Sequence, residues 1–226
     1  MPSKENPTAI ERLIQGYEYF YQQYFSSDKS SLYKELVEKG QAPKIMVIAC
    51  SDSRVDPALI LNAAPGEIFI VRNVANLVPP CENDHKHHGT SAALQFAVCY
   101  LKVEHVIVLG HSLCGGIRAL LHDSKEIDLQ QEQGFIASWM EIAKNAKEQA
   151  LRQHTAPAEQ EQYCCKYSLM ASIDNLHTFP WIKSKVEAGT LHLHAWHFDL
   201  ETGRLRSLDR VQQVFVDLEA GINHPF

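Results

Sequence analysis

Two short segments carry residue types that can bind a metal ion. The first, Cys50–Arg54, reads CSDSR, and the second, His111–Cys114, reads HSLC. Thiolate and imidazole ligands favour zinc over magnesium or calcium. Two cysteines and one histidine on a single zinc ion leave its fourth position open, as in catalytic zinc sites. These residue types therefore predict a metal centre that can activate water.

Each segment taken alone has a simpler explanation. A single cysteine at a strand end is usually packed in the core, and a His-x-x-Cys spacing often occurs by chance. Asp52 and Arg54 can form an ordinary ion pair. A further alternative is a closed structural zinc site with a carboxylate as its fourth ligand, formed by Cys50, Asp52, His111 and Cys114.

Both segments directly follow continuous apolar runs. Residues 44–50 and 105–110 have the pattern of strands buried on both faces of a parallel sheet, and 67–72 is a third strand of this kind. Ligands bind beyond the carboxyl ends of such strands. If strands 44–50 and 105–110 are neighbours, the two candidate metal-binding segments converge at one edge of the sheet.

The predicted elements alternate between strands and helices. Helices are expected from Asp56, over 89–102 and from Gly115, which predicts a parallel α/β sheet with right-handed crossovers. Further predictions are a loop at 123–133, helices over 134–151, 157–177 and 181–188, and strands over 191–200 and 205–208.

The predicted fold class is therefore α/β. A mostly parallel central sheet of four to five strands is flanked by helices and preceded by an N-terminal helical arm. We expect a single domain over 1–226, divided into an arm (1–40), a zinc-site core (41–122) and C-terminal helices and strands (123–226).

The predicted arm is unusually aromatic. It contains an amphipathic helix over 8–25 and a short helix over 31–39 that ends at Gly40. The aromatic face of the first helix either packs on the core of its own domain or covers another subunit, since aromatic residues are enriched in buried interface centres.

Composition excludes several classes of protein. The 226 residues are 45% hydrophobic and carry a formal net charge of −6, which disfavours non-specific binding to nucleic acid or anionic membranes. No apolar stretch reaches the ~20 residues of a membrane span. Six cysteines without a secretory signal indicate a reducing compartment, so a cytoplasmic location is expected.

Four segments together resemble the β-class carbonic anhydrases, and their plant-type branch in particular. They are ACSDSRV at 49–55, VRNVAN at 71–76, HG at 88–89 and GHSLCGGI at 110–117. The resemblance implies reversible hydration of carbon dioxide to bicarbonate and a proton, by attack of a zinc-bound hydroxide. Each subunit would hold one zinc ion through Cys50, His111 and Cys114, and the pair of Asp52 and Arg54 would orient the hydroxide.

The same resemblance implies a substrate pocket, for which the matching residues are Gln41, Phe69, Val74, Phe96 and Gly115. Many close relatives have Tyr where this chain has Phe96, so the hydroxyl of that Tyr is absent. Relatives whose Asp moves onto zinc in a closed state tend to carry Trp where this chain has Val47, so we expect an open site, with Asp52 as a fourth ligand only in a closed state.

The aromatic arm, together with the reach of Gln41 across a subunit interface that the resemblance implies, predicts a homodimer or a larger assembly, with a tetramer plausible. Two other functions stay open at this point. One is hydrolysis of a sulfur analogue such as carbon disulfide at the same site, and the other is a non-catalytic, zinc-stabilised assembly module.

Five further histidines have two interpretations each. His85, His87 and His88 lie in a polar loop and are either solvated or part of a proton shuttle or second metal site. His192 and His194 share one face of a predicted strand. A half-exposed strand face is favoured for this pair over metal ligation.

Overall fold

The computed structural model describes residues 6–26, 31–84, 86–121 and 134–218. The predicted loop over 123–133 and His85 lie outside the described residues. Contacts divide the chain into an N-terminal unit, Met1–Ala42, and a larger unit, Pro43–Phe226. The domain organisation expected from the sequence stays a prediction.

The larger unit is built on a mixed sheet, which confirms the predicted α/β class. Among the described residues the sheet has six strands, in the order β2-β1-β3-β4-β5-β6. The first four strands in chain order pair in parallel, and the last two are antiparallel additions. The strands are β1 (Ile45–Cys50), β2 (Ile68–Asn73), β3 (His105–His111), β4 (His192–Phe198), β5 (Leu205–Asp209) and β6 (Val214–Asp217).

Helices connect the parallel strands and follow the sequence prediction closely. In the larger unit they are α3 (Pro57–Ile60), α4 (Gly89–Gln95, continued by a π-helical turn at Phe96–Leu101), α5 (Gly115–Leu121), α6 (Phe135–Met140), α7 (Lys144–Gln153), α8 (Pro157–Leu176) and α9 (Pro180–Glu187). The helix predicted over 134–151 is interrupted by a 3-10 turn at Glu141–Ala143.

Strand β1 shows why the apolar runs form buried strands. Its alternate residues Met46 and Ile48 pack in one apolar cluster, with residues of α4 and α8. Val47 and Ala49 point to the opposite face and pack in a second cluster with residues of β3. Because both faces are covered, a continuous apolar sequence is the stable choice, as expected for a parallel strand.

One strand lies beyond those that the sequence predicts. Strand β6 pairs with β5 in antiparallel register, so the sheet exceeds the expected four to five strands. It has only four residues, and two of them, Val214 and Val216, are exposed. A segment this short and this weakly buried has no clear hydrophobic period, which is why the sequence did not predict it.

The N-terminal unit contains the two predicted helices, α1 (Ala9–Tyr24) and α2 (Ser31–Lys39). Helix α1 begins with a capping box between Thr8 and Glu11. Tyr33 of α2 packs edge-on against Tyr24, with ring centroids 5.5 Å apart. No residue of α1 is buried, and Leu13 stays 68% exposed. The expectation that this face covers another subunit stays a prediction.

None of the helices in the described ranges is long and apolar enough to cross a membrane.

Candidate metal centre

The two predicted metal-binding segments meet at one edge of the sheet. Cys50 ends β1 and His111 ends β3, and these strands are direct parallel neighbours. We call this the carboxyl edge, because the parallel strands end there, and the opposite side the amino edge. Leu113 adopts a left-handed conformation (φ +57°) between His111 and Cys114, which is uncommon for a non-glycine residue and turns the chain sharply.

The three candidate ligands are close enough to share one ion. The Sγ atoms of Cys50 and Cys114 are 4.0 Å apart. One ligand atom from each of the two cysteines and from His111 lies within 4.8 Å of the other two, and all three residues are buried. Two sulfur ligands at about 2.3 Å from a tetrahedral zinc ion are about 3.8 Å apart. The spacing of the two sulfur atoms therefore fits four-coordinate zinc.

The hydrogen bonding of His111 leaves one ring nitrogen for a metal. Its Nδ1 lies 2.8 Å from the carbonyl oxygen of Ser112, which can only accept, so Nδ1 carries the proton. Its Nε2 is buried and has no hydrogen-bonding partner in the part of the chain that the structure describes. Such a nitrogen is costly unless a ligand satisfies it. A carbonyl that fixes the tautomer in this way is typical of metal-binding histidines.

The four buried cysteines differ in their protonation. A hydrogen bond from the Cys114 thiol lowers the pKa of Cys50, and the same bond with burial raises the pKa of Cys114. Cys164 and Cys165 of α8 belong to the same apolar cluster, but burial raises the pKa of each to about 12. These two therefore stay protonated, whereas Cys50 and Cys114 together hold one proton less readily than two ordinary buried thiols.

Asp52 and Arg54 form the predicted ion pair. Arg54 donates from Nε to Oδ1 of Asp52 at 2.9 Å and from Nη2 to Oδ2 at 2.7 Å. The guanidinium is also anchored on the carbonyl oxygen of Leu113, 3.1 Å from Nη2. These bonds hold the pKa of Asp52 well below its usual range, so the carboxylate is ionised.

Arg72 holds the same loop from the other side, and the sequence analysis gave it no role. Its Nε donates to the carbonyl of Cys50 at 2.9 Å, and its Nη2 donates to the carbonyl of Asp52 at 2.7 Å. Its Nη1 pairs with Asp56, the N-cap of α3. An arginine at the end of a half-buried strand was the available signal, since arginine is rarely placed there without partners.

Val74 sits on a turn that several residues constrain. The side chain of Asn73 makes two hydrogen bonds of 2.9 Å with the backbone of Leu77: its Oδ1 accepts from the amide, and its Nδ2 donates to the carbonyl oxygen. The indole Nε1 of Trp139 donates to the carbonyl of Val74 at 2.7 Å. A Cβ at Gly116 would lie only 3.0 Å from Cγ1 of Val74, so glycine lets α5 approach this turn closely. The backbone of Val74 is thus fixed at the carboxyl edge.

Two of the other predicted pocket residues, Phe69 and Phe96, lie away from Val74 in the same chain. Phe69 and Phe96 pair with each other, with ring centroids 5.9 Å apart. Phe69 lies opposite Met46, four residues before Asn73, which is about 13 Å along the strand. Gln41 belongs to the N-terminal unit, where its side chain is exposed, and its role in the pocket stays a prediction.

Gly115 has open space beside it. A Cβ built on this residue would have no neighbour within 4 Å among the described atoms. Close packing therefore does not require glycine at position 115, whereas it does at position 116. The expectation that this space is left for a ligand stays a prediction.

A second group of candidate ligands lies in the polar loop. Carboxylate and ring atoms of Glu82, Asp84 and His88 lie within 4.8 Å of one another. Asp84 is already paired, with His88 at 2.6 Å and with Lys86 at 3.0 Å. His87 is exposed. The group is a solvated ion-pair cluster, unlike the buried cysteine and histidine group.

Comparison with known proteins decides the family. Residues 45–205 match the family model described as carbonic anhydrase. The solved structure of the β-carbonic anhydrase CcaA superposes with a TM-score of 0.84 at 33% identity, covering 95% of this chain and 94% of that one. The chain belongs to the β-carbonic anhydrase family.

Two further relatives extend this finding. Beta carbonic anhydrase 5, chloroplastic, from Arabidopsis thaliana is 44% identical over 169 residues, which are 74% of this chain and 54% of the relative. The chain therefore spans about half the length of that curated relative. Crystal structures of two tetrameric β-carbonic anhydrases from Sordaria macrospora give a TM-score of 0.72 at 29% identity, covering 89% of this chain and 95% of that one.

Proposed function

We propose that this chain catalyses the reversible hydration of carbon dioxide to bicarbonate and a proton. One zinc ion per subunit would be held by Cys50, His111 and Cys114. The observation that carries the proposal is their buried cluster, with donor atoms within 4.8 Å and the Nε2 of His111 without a partner among the described residues. When bound, zinc supplies the Lewis acidity that lowers the pKa of water.

Asp52 would orient the attacking oxygen. An ionised carboxylate only accepts hydrogen bonds, so a water or hydroxide beside it must direct its proton to Asp52 and a lone pair away from it. A lone pair of the hydroxide forms the bond to the substrate carbon while one C=O electron pair moves onto oxygen, which gives bicarbonate. The proton that water loses in becoming hydroxide is released to solvent. The two bonds from Arg54 support the open arrangement, because they engage both carboxylate oxygens of Asp52.

Substrate would be held by apolar contacts, since carbon dioxide has no net dipole. Val74 is the pocket residue fixed at the carboxyl edge, and the space beside Gly115 is open. We propose that Phe69 and Phe96 complete the wall of a second copy, and that Gln41 contributes its amide to bicarbonate binding.

A homodimer is consistent with the surface around β2. This strand lies at the edge of the sheet, and an edge with exposed apolar residues is a ready site for pairing. Ile70 is 37% exposed, Phe96 43% and Tyr100 71%. Phe96 and Tyr100 stack on each other beside Phe69, and Ile70 points to the opposite face of β2, so exposed apolar side chains flank the open edge on both faces. Exposed apolar side chains at a sheet edge are of the kind that marks an interface between subunits.

The dimer can be tested by introducing a charge at either of the two outer sides of the sheet, on β2 or beside β6. Ile70→Lys should reduce the mass measured by light scattering towards that of one chain. Val211→Lys, at a 90% exposed position in the segment between β5 and β6, is the matched control and should leave the mass unchanged. An Ile70→Lys protein with the wild-type mass, where the wild type exceeds one chain, would exclude this surface as the interface.

The expected cytoplasmic location also stays a proposal. All six cysteines are free, which fits a reducing compartment. The Arabidopsis relative is described as chloroplastic, so fractionation of cells that express the protein is the appropriate test.

A stopped-flow assay separates the main proposal from its alternatives. The zinc-loaded protein should accelerate carbon dioxide hydration, and a chelator that removes the metal should abolish the activity. Activity on carbon disulfide alone would favour the sulfur-analogue hydrolase. A folded, zinc-loaded protein without either activity would favour the assembly module.

A further inference from the structure

Three histidines gather at the amino edge of the sheet. His105 begins β3 and His192 begins β4, and they are direct partners in the parallel register. His194 follows two residues later on β4. Partners in register share a face of the sheet, as do residues i and i+2 of a strand. All three imidazole rings therefore lie on the same face.

The rings are in mutual contact. Nδ1 of His105 and Nε2 of His194 form a hydrogen bond of 3.1 Å, and the ring centroid of His105 is 5.2 Å from those of both His192 and His194. Two nitrogen ligands at about 2.0–2.1 Å from tetrahedral zinc are about 3.3–3.4 Å apart. The separation of the two nitrogen atoms is thus close to that of two ligands on one ion.

We propose that His105, His192 and His194 form a second metal site, for Zn²⁺ or another divalent ion that accepts imidazole ligands. It would be independent of the cysteine site, because the seven residues of β3 separate His105 from His111 by about 20 Å. His105 and His194 present nitrogen atoms at this spacing. The ring nitrogens of His192 are not within 4.8 Å of both, so the partly exposed His192 ring has to rotate to supply the third ligand.

Burial keeps these imidazoles in the form that binds metals. His194 is only 8% exposed, so the half-exposed face favoured by the sequence is wrong for this residue. Desolvation, with the neighbouring histidines, lowers the pKa of His194 to about 4 and lowers that of His105. Both rings are therefore neutral at pH 7, as ligation requires. When Nδ1 of His105 binds the ion, its single proton moves to Nε2.

Charged groups and space around the cluster are compatible with a cation. Glu104, the residue before His105, is paired with Lys44 at 2.6 Å. Strands β4 and β5 separate beyond Trp196 and leave a cavity of about 380 Å³, which is lined by His192, His194 and Asp209 among others. The cavity gives an ion access to two of the three histidines and has room for a water ligand.

Equilibrium dialysis against Zn²⁺ tests this site directly. Wild type should bind two zinc ions per chain, and His192→Ala and His105→Gln should each bind one. His88→Ala, which removes a ligand from the loop cluster, is the matched control and should still bind two. With Co²⁺, the ion kept by His192→Ala should show thiolate-to-metal charge transfer, and the ion that is lost should not.

Either of two results would overturn the proposal: a wild-type protein whose single metal ion shows the thiolate charge transfer with Co²⁺, or a His192→Ala protein that binds as many zinc ions as wild type. Loss of the second ion in His88→Ala instead would place it in the loop cluster. Because the readout is metal content, it stands whether or not the protein hydrates carbon dioxide. His192 is partly exposed, so its variant should fold even if that at His105 does not.

Discussion

The two ends of strand β3 place histidine in contrasting surroundings. His111 at the carboxyl edge has its Nδ1 fixed by a main-chain carbonyl, and two cysteines lie beside its Nε2. His105 at the amino edge has its Nδ1 engaged with another side chain, the ring of His194. The ring of His111 is thus fixed by a backbone group, and the ring of His105 by a side chain. Main-chain support reduces the reorganisation that binding requires, so the carboxyl edge should bind zinc more tightly.

The largest expected effect comes from removing one sulfur ligand. Cys114→Ser should lose the ion at the carboxyl edge, and carbon dioxide hydration should fall to the uncatalysed rate, because a hydroxyl is a much poorer zinc ligand than a thiolate. Metal analysis and stopped-flow kinetics measure both effects. Cys164→Ala, which removes a buried thiol with a pKa of about 12, should keep its zinc. If Cys114→Ser and Cys164→Ala contain the same amount of zinc, Cys114 is not a zinc ligand.

Asp52→Asn should separate metal binding from catalysis. An amide can donate as well as accept, so it no longer fixes the proton of the attacking oxygen, and we expect kcat to fall by about 10²–10³-fold. Zinc content should equal that of wild type. Arg54→Lys should give a smaller loss, because lysine cannot make the two parallel bonds. An Asp52→Asn protein with wild-type kcat would remove the proposed role.

Arg72→Ala should weaken the metal site without removing a ligand. It would free the carbonyl groups of Cys50 and Asp52, and changes of this kind typically cost about 10–100-fold in metal affinity or activity. Competition with a zinc chelator measures the affinity. Arg118→Ala, on the surface of α5, is the control and should leave the zinc affinity unchanged. If both variants bind equally tightly, the loop does not depend on Arg72.

The smallest expected effect concerns His197, a buried histidine outside both candidate metal sites, and the dependence of stability on pH. His197 is 1% exposed, and both its ring nitrogens lack a hydrogen-bonding partner among the described residues. Burial lowers its pKa to about 4. Between pH ~6.5 and pH ~4 the unfolded chain therefore binds a proton that the folded chain excludes, and the free energy of unfolding should decrease as the pH falls.

The contribution of His197 to this slope is at most about 1.4 kcal/mol per pH unit. Urea denaturation of wild type and His197→Phe across this range should show a shallower dependence on pH in the variant. His194 should contribute in the same direction, and bound zinc should increase its contribution. Identical slopes in wild type and His197→Phe would show that His197 is not held in its neutral form.

The parts of the fold that could be predicted are those encoded locally. Strands β1 and β3 are continuous apolar runs, and the residues that end them, Cys50 and His111, must lie at the same edge once the strands are parallel neighbours. The Asp52–Arg54 pair is two residues apart and needs no tertiary information. These features depend only on short segments and on one general rule of topology.

The remaining features depend on contacts between distant segments. The role of Arg72 requires knowing that β2 lies beside β1, and the contact of His105 with His194 spans 89 residues. The pairing of Phe69 with Phe96, and the outer position of β2, follow from the order of strands in the sheet. No periodic pattern in a single segment carries this information.

X-ray absorption at the zinc edge, on protein loaded with one zinc ion per chain, tests the central claim most directly. Two sulfur atoms at about 2.3 Å, with nitrogen or oxygen in the remaining positions, is the predicted result. A shell of nitrogen and oxygen alone would contradict it, because the ion would then not be held by Cys50 and Cys114.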